Sequence, residues 1–216
     1  MALDNYTIAR DRMVEEQIIQ RGINDPLILD AMRRVPRHLF VDASVQDQAY
    51  EDHPLPIGEG QTISQPYMIA LMALAMQLAE GEHVLEVGTG SGYLTAILAE
   101  QGVEVCSVEL SPQLAQRSQA VLHRLGYQGV TVHVGDGTLG WPAAAPFDAI
   151  VIGAAAPGIP RPLLAQLRLG GRLVAPMGEE ELQTLVRIWK ERSGLREEYF
   201  GECQFVKLRG EHGWET

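Results

Sequence analysis

Long apolar runs are missing from this chain. No segment of its 216 residues reaches ~18 consecutive apolar residues, so no membrane-spanning helix is expected. The opening "MALDNYTIARDRMVEEQ" carries charges where a signal peptide needs an apolar core, which points to a cytoplasmic location. Cysteine is scarce. Cys106 and Cys203 each fall in an apolar, strand-like run, so two buried thiols are expected and no disulfide framework. The six histidines show no metal-ligand spacing, and neither CxxC nor HExxH occurs, so no metal site is expected. Basic residues are outnumbered 28 to 17, giving a net charge of −11. Such a chain repels a phosphate backbone, and nucleic acid is not an expected partner. The Arg-rich "MRRVPRH" is the main candidate for a local basic groove, but it reads better as a solvated helix end. Internal repeats and low-complexity tracts are lacking too.

What is present is a regular alternation. An apolar fraction of 46% is ordinary for a globular protein. The first ~40 residues predict two helices. "YTIARDRMVEEQIIQRG" stops at Gly22, and "NDPLILDAMRRVP" opens with Asn24 or Asp25 as cap and Pro26 in its first turn. "HLFVDASVQDQAYEDHPLPIGEGQ" is a long Pro- and Gly-rich connection, of the kind that is functional or packs as a flap. Then helices and strands alternate. "PYMIALMALAMQLAE", "YLTAILAEQG", "SPQLAQRSQAVLHRLG" and "PRPLLAQLRLGG" predict helices. "HVLEVG", "VEVCSVEL", "VTVHVGDG", "FDAIVIGAA" and "RLVAPMG" predict strands. That order implies a parallel sheet covered on both faces. "LQTLVRIWKERSGLREEYFGECQFVKLRG" predicts two strands around Ser193-Gly194, which would add an antiparallel edge.

Chemistry concentrates after the first of these strands. "VLEVGTGSGY" sets Gly88, Gly90 and Gly92 between a strand and a helix, where backbone can approach a ligand closely. The spacing is G-x-G-x-G, one residue short of the dinucleotide fingerprint. Glu86 precedes the loop, and a carboxylate there would repel a diphosphate but favour an ammonium or sulfonium. S-adenosylmethionine carries both. Glu109 ends the next strand, 21 residues after Gly88, where a ribose would present its hydroxyls. Asp136 follows the third strand and can accept from an adenine amino group, with Gly137 beside it letting the ring lie flat. Any one acid alone reads as a cap or loop charge. Three at successive strand ends, with the glycine loop, read as a nucleoside site. In "GQTISQPY", Ser64 stands just before a helix and suits either a cap or a ligand contact.

The chain resembles the protein-L-isoaspartate O-methyltransferase family over nearly its whole length. The resemblance rests on "RMVEEQIIQRGI", "VPRHLFV", "PLPIGEGQTISQPY", "VLEVGTGSGYLTAILA", "GDGTLGW", "APFDAIVIGAAAPGIP", "QLRLGGRLVAPMG" and "CQFVKLRGEHGW". "GQTISQPY" and "FDAIVIGAAAP" are its more specific parts. It implies an α/β fold: a Rossmann-like methyltransferase sheet, mostly parallel with an antiparallel C-terminal edge, plus N-terminal helices. It implies one domain over 1–216, with helices and flap in 1–60, the cofactor core in 61–178 and C-terminal strands in 179–216. The implied cofactor is S-adenosyl-L-methionine, and the implied acceptor is the α-carboxylate of an L-isoaspartyl residue in a damaged peptide or protein. The resulting ester closes to a succinimide, which opens partly to normal aspartate. A monomer with no nucleic-acid or membrane partner is expected. Residue by residue, the family's active-site serine falls on Ser64. Its cofactor contacts fall on Gln61, Thr62, Ile63, Ser64, Glu86, Gly88, Gly90, Gly92, Glu109, Asp136 and Gly137. One departure stands out: the family usually has "FVPL" where this chain has "FVKL". Lys207 or Arg209 could attract the substrate carboxylate, or be exposed basic residues on a strand.

The acceptor's chemistry restricts Ser64. A carboxylate with a reference pKa of roughly 3.3–3.9 is already ionised and needs no general base. "TISQP" is not a nucleophile elbow, so the expected role of Ser64 is a hydrogen-bond donor that orients the carboxylate. Two rival readings stand beside this one. The first is a methyltransferase of a small molecule or nucleic acid. "SQPY" faintly resembles an amino-methyltransferase signature, but it precedes the glycine loop, and "IVIGAAAPGIP" offers no amide or acid. The second is a cofactor binder that has lost catalysis, against which stand Ser64 and the three acids.

Overall fold

The first strand of the main sheet, β3 (His83–Val87), has four buried residues in succession, Val84 to Val87. Such a run belongs in the centre of a sheet covered on both faces. The computed structural model describes residues 5–215. The first four residues of the charged opening segment and Thr216 lie outside the described residues. β3 lies between β4 (Glu104–Glu109) and β6 (Phe147–Ile152), parallel to both. Outside these run β5 (Thr131–Val134), beyond β4, and β7 (Leu167–Gly178), beyond β6, also parallel. β8 (Gln183–Glu191) and β9 (Gly194–Cys203) continue the sheet antiparallel, giving the order β5-β4-β3-β6-β7-β8-β9. The expected mostly parallel sheet with an antiparallel edge is what the chain forms.

Side chains alternate across the sheet. Val84, Val105 and Val151 face one apolar cluster, and Leu85, Ile150 and Leu173 face the other. The first cluster takes in the N-terminal helices α1 (Asn5–Met13) and α2 (Pro26–Arg34), and also α3 (Pro66–Met76), α4 (Tyr93–Ala99) and α5 (Pro112–Arg124). The second includes α6 (Arg161–Gln166). Asp25 caps α2 by accepting from the Leu27 and Ile28 N–H groups, and Ser111 caps α5 through Leu114 N–H. Each such cap contributes about 1 kcal/mol.

Several elements differ from the sequence expectation. After Met13 the first helix widens into a π turn, Val14–Ile18, then tightens over Ile19–Arg21 and ends at Gly22. "LRLGG" is strand, not helix. Gly171 lies so close to Asp148 that a Cβ would sit 2.7 Å from its carbonyl, and Leu167 pairs with Phe147. The long connection holds a small hairpin of β1 (Leu55–Gly58) and β2 (Gln61–Ile63). "MRRVPRH" is not simply a solvated end. Arg34 pairs with Glu100 at the surface, but Arg37 is fully buried, its Nε donating to Ala49 O at 2.7 Å and its guanidinium 5.0 Å from the Tyr93 ring. Cys203 is buried, whereas Cys106 is only half-buried, its Sγ 3.4 Å from His83 Nε2. The strand predicted through "FVKL" ends at Cys203, and Lys207 meets the sheet only by a bridge to Ala155. No helix among the described residues is long and apolar enough to cross a membrane, and no metal-binding cluster occurs among them.

Two arginines of the antiparallel edge hold the far end of α3. Arg172 of β7 donates to the carbonyls of Met76 and Gln77, at 2.5 and 2.8 Å, and pairs with Glu82. Arg187 of β8 donates to Ala75 O at 2.9 Å. Cations at a helix C-terminus satisfy its last carbonyls and oppose its dipole.

Candidate active site

The strand order reverses at β3, and there a cavity of about 330 Å³ opens at the carboxyl ends of the parallel strands. Ligands in open α/β sheets bind at such a point. Gln61, Thr62, Ile63, Ser64, Glu86, Gly88, Gly90, Glu109 and Gly137 all line it. Segments far apart in sequence are thus brought together: the β2 hairpin, the β3 loop, the end of β4 and the turn after β5.

Glu86 is fully buried on the α4 side of β3. Its Oε2 accepts from Thr95 on α4 at 2.5 Å and from Ser107 on β4 at 2.7 Å. Ser107 also meets the Thr89 hydroxyl at 2.5 Å. Burial pushes the Glu86 carboxyl up to about 7, against the opposing pull of the two hydroxyls. Its Oε1 has no hydrogen-bond partner among the described residues. Glu86 is a lining residue of the cavity, and a buried carboxylate left half-satisfied there suits a cationic or N–H-bearing ligand group.

Glu109 is buried and held by two backbone donors. Oε2 accepts from Gly90 N–H at 2.8 Å and Oε1 from Ser111 N–H at 2.9 Å. Each oxygen keeps a further lone pair for a ligand hydroxyl. Gly88 adopts φ +89°, and a Cβ there would find no protein atom within 4 Å. Its missing side chain is therefore room on the cavity wall. Gly137 presses on the end of β3, where a Cβ would sit 2.6 Å from Val87 Cγ1.

Ser64 is half-buried, and its hydroxyl makes no hydrogen bond among the described residues. It does not cap α3. The cap position is Gln65, with no side-chain bond, and Asp52 Oδ1 reaches the Tyr67 N–H at 3.4 Å.

Two expected ligand contacts lie off the cavity wall. Gly92 caps α4 and abuts α5, where a Cβ would meet Ser118 Cβ at 3.2 Å. Asp136 turns to the chain itself. Oδ1 accepts from the N–H and hydroxyl of Thr138, and Oδ2 from Glu211 N–H at 2.7 Å. Burial works against its ionisation, but these bonds outweigh burial and hold the carboxyl below its usual range. Asp136, expected to face an adenine amino group, also ties down the C-terminal segment.

The hydroxyls that support Glu86 were not singled out from sequence. Thr95 and Ser107 interrupt the apolar runs "YLTAILA" and "VCSV", and that isolation is their signal. Lys207 and Arg209 both line the cavity.

The family model for protein-L-isoaspartate(D-aspartate) O-methyltransferase matches residues 9–213. The chain belongs to this family. Protein-L-isoaspartate O-methyltransferase 1 of Syntrophobacter fumaroxidans is 53% identical over 98% of this chain and 99% of its own. Among solved structures, a protein-L-isoaspartate O-methyltransferase superposes with a TM-score of 0.85 at 28% identity, covering 94% of this chain and 67% of that one. A second, from Plasmodium falciparum and described as a protein-L-isoaspartate O-methyltransferase in complex with S-adenosyl-L-homocysteine, gives 0.81 at 26% identity over 93% and 98% of the two chains. The likeness to this family thus covers nearly the whole chain, in sequence and in fold.

Proposed function

We infer that this chain methylates the α-carboxylate of L-isoaspartyl residues in damaged proteins, with S-adenosyl-L-methionine as methyl donor. The ester so formed leads through a succinimide to repair. The observation that carries the reading is one cavity lined both by Glu86, whose buried Oε1 lacks a partner among the described residues, and by Ser64, whose hydroxyl also lacks one among them, in a chain that matches the family nearly end to end. The donor set suits the cofactor: a bare buried carboxylate for a cation, a second carboxylate with spare lone pairs for hydroxyls, and an open face at Gly88.

S-adenosylmethionine, when bound, supplies a methyl group activated by a sulfonium. The chain's residues do the rest. Glu86 receives the positive charge, and Glu109 accepts from the ribose hydroxyls. Gln61, Thr62 and Ile63 line the same space as the β2 edge, and Gly137 forms part of the floor. No histidine lines the cavity, consistent with an acceptor that is already ionised. Ser64 donates to the acceptor carboxylate and fixes its orientation, which is the larger part of what a site can contribute to such a reaction. Isoaspartyl peptides and proteins are the partners in this reading, and the enzyme works as a single-domain monomer in the cytoplasm.

The test is incubation with labelled S-adenosylmethionine and a matched pair of isoaspartyl and aspartyl peptides. Base-labile label on the isoaspartyl peptide alone is expected. Tight cofactor binding with no transfer would overturn the assignment in favour of a non-catalytic binder.

A further inference from the structure

Acidic side chains prevail on the cavity wall. Glu59, Glu86 and Glu109 line it, in a chain of net charge −11. An anionic acceptor is repelled by such a field unless cations stand where it enters. Among the lining residues only Lys207 and Arg209 are cationic. Both come from one short segment after β9.

That segment is fastened on both sides. Ala155 N–H donates to Val206 O, and Leu208 N–H donates to Ala155 O, each at 2.8 Å. Beyond Arg209, Glu211 N–H reaches Asp136 Oδ2 at 2.7 Å and His212 N–H reaches Thr138 Oγ1 at 3.2 Å. Gly210 lies so close to Asp136 that a Cβ would stand 2.1 Å from Oδ1. Arg209 is therefore an exposed side chain on a fixed backbone.

The two cations are not equivalent. Lys207 Nζ is 2.5 Å from Glu180 Oε2 and lies 5.9 Å from the Trp214 ring. Arg209 has neither an ion pair nor a hydrogen bond among the described residues.

We propose that Arg209 is a specificity-determining residue that draws the acceptor's carboxylate into the cavity, while Glu180 holds Lys207 out of that role. The inference rests on the methyl-acceptor reading above. It explains how an acidic protein with an acidic cavity takes an anionic substrate.

The experiment compares wild type, Arg209→Gln, Arg209→Lys and Glu180→Gln. It reads KM and kcat for an isoaspartyl peptide, and binding of the same labelled peptide by fluorescence anisotropy with S-adenosylhomocysteine present. Exposed charges act mainly on encounter, so Arg209→Gln should raise KM and the peptide Kd about three- to fivefold at low salt, with kcat moving less than about twofold. The difference should shrink at high salt. Arg209→Lys should restore most of the affinity, and Glu180→Gln should tighten peptide binding by freeing Lys207. An Arg209→Gln variant whose peptide Kd matches wild type at low salt would overturn the proposal, as would a loss confined to kcat or to cofactor affinity. If wild type neither binds nor methylates the peptide, the functional reading fails and this inference falls with it. Wild-type activity with an unaffected variant defeats the inference alone.

Discussion

The Ser107 hydroxyl on β4 stands 2.7 Å from Oε2 of Glu86, its direct neighbour across the parallel pair β3–β4. Thr95 supports the same oxygen from α4, so one side of the carboxylate is satisfied and the other is bare. Burial outweighs the two hydroxyls and pushes the group up to about 7. In the unfolded chain its pKa is near 4.3. Between these values the folded state holds the extra proton, so stability should fall as pH rises through that window and level off above about 7. The full effect is of order 3 kcal/mol, from ~1.4 kcal/mol per pKa unit. Glu86→Gln should flatten this profile in denaturant melts without ligand. A bound cation favours the ionised form, so S-adenosylhomocysteine, through its ammonium, should bind wild type more tightly at pH 8 than at pH 6. The variant should lose affinity and that pH dependence together. Equal pH dependence in both proteins would refute the assignment.

Ser64→Ala separates chemistry from stability. The hydroxyl has no hydrogen-bond partner among the described residues, so thermal melts should shift by less than ~0.5 kcal/mol. If it orients the acceptor carboxylate, kcat should fall about 10- to 100-fold with cofactor affinity unchanged. Steady-state kinetics and calorimetry on one preparation check both, and an unchanged kcat would exclude the positioning role.

Gly88 and Gly92 should respond differently to the same substitution. Both have φ near +90°, at +89° and +87°, so alanine costs each about 1–2 kcal/mol of strain. At Gly88 the new methyl enters open space on the cavity wall and should weaken cofactor binding more than strain alone explains. At Gly92 it meets Ser118 Cβ at 3.2 Å and Leu122 Cδ1 at 3.3 Å, so the excess loss should appear in stability. Melts and cofactor titrations on both variants give the comparison, and identical behaviour would contradict it.

Arg37 is buried with both terminal nitrogens unpartnered among the described residues, and burial lowers its pKa to about 10. A desolvated, half-satisfied cation gains little for stability, whereas its aliphatic stem packs. Arg37→Met should therefore stay within about 1 kcal/mol of wild type, and Arg37→Ala should lose about 3 kcal/mol or more, as for other large-to-small core changes. Chemical denaturation at pH 7 decides this. A Met variant as unstable as the Ala variant would show that the charge itself is needed.

Local patterns carried the sheet. "HVLEV" and "FDAIVI" are short apolar runs closed by glycine, and Asp25 and Ser111 cap the helices they precede. Strand pairing inside the long connection did not show in the same way. Leu55–Gly58 and Gln61–Ile63 are strands only because they pair with each other within a Pro- and Gly-rich stretch. Arg37 looks surface-bound by composition, and only packing against Tyr93 and the Ala49 carbonyl buries it. Asp136 matched a nucleoside-site pattern by position, but its partner Glu211 lies 75 residues later, where no local signal could link them. Conversely, Glu86 and Glu109, which line the cavity with Ser64, are legible from sequence because glycine spacing and strand ends are local features.

The carbonyl clamp at the end of α3 ties the placement of Ser64 to strands β7 and β8. Ser64 lies two residues ahead of that helix, and Arg172 and Arg187 hold the helix from behind. Sliding β7 and β8 by a single rung would shift the helix along its axis and carry the serine with it. Transplanting the edge from one relative to another would therefore have to bring its matching α3, since Arg172 and Arg187 fasten that helix to β7 and β8.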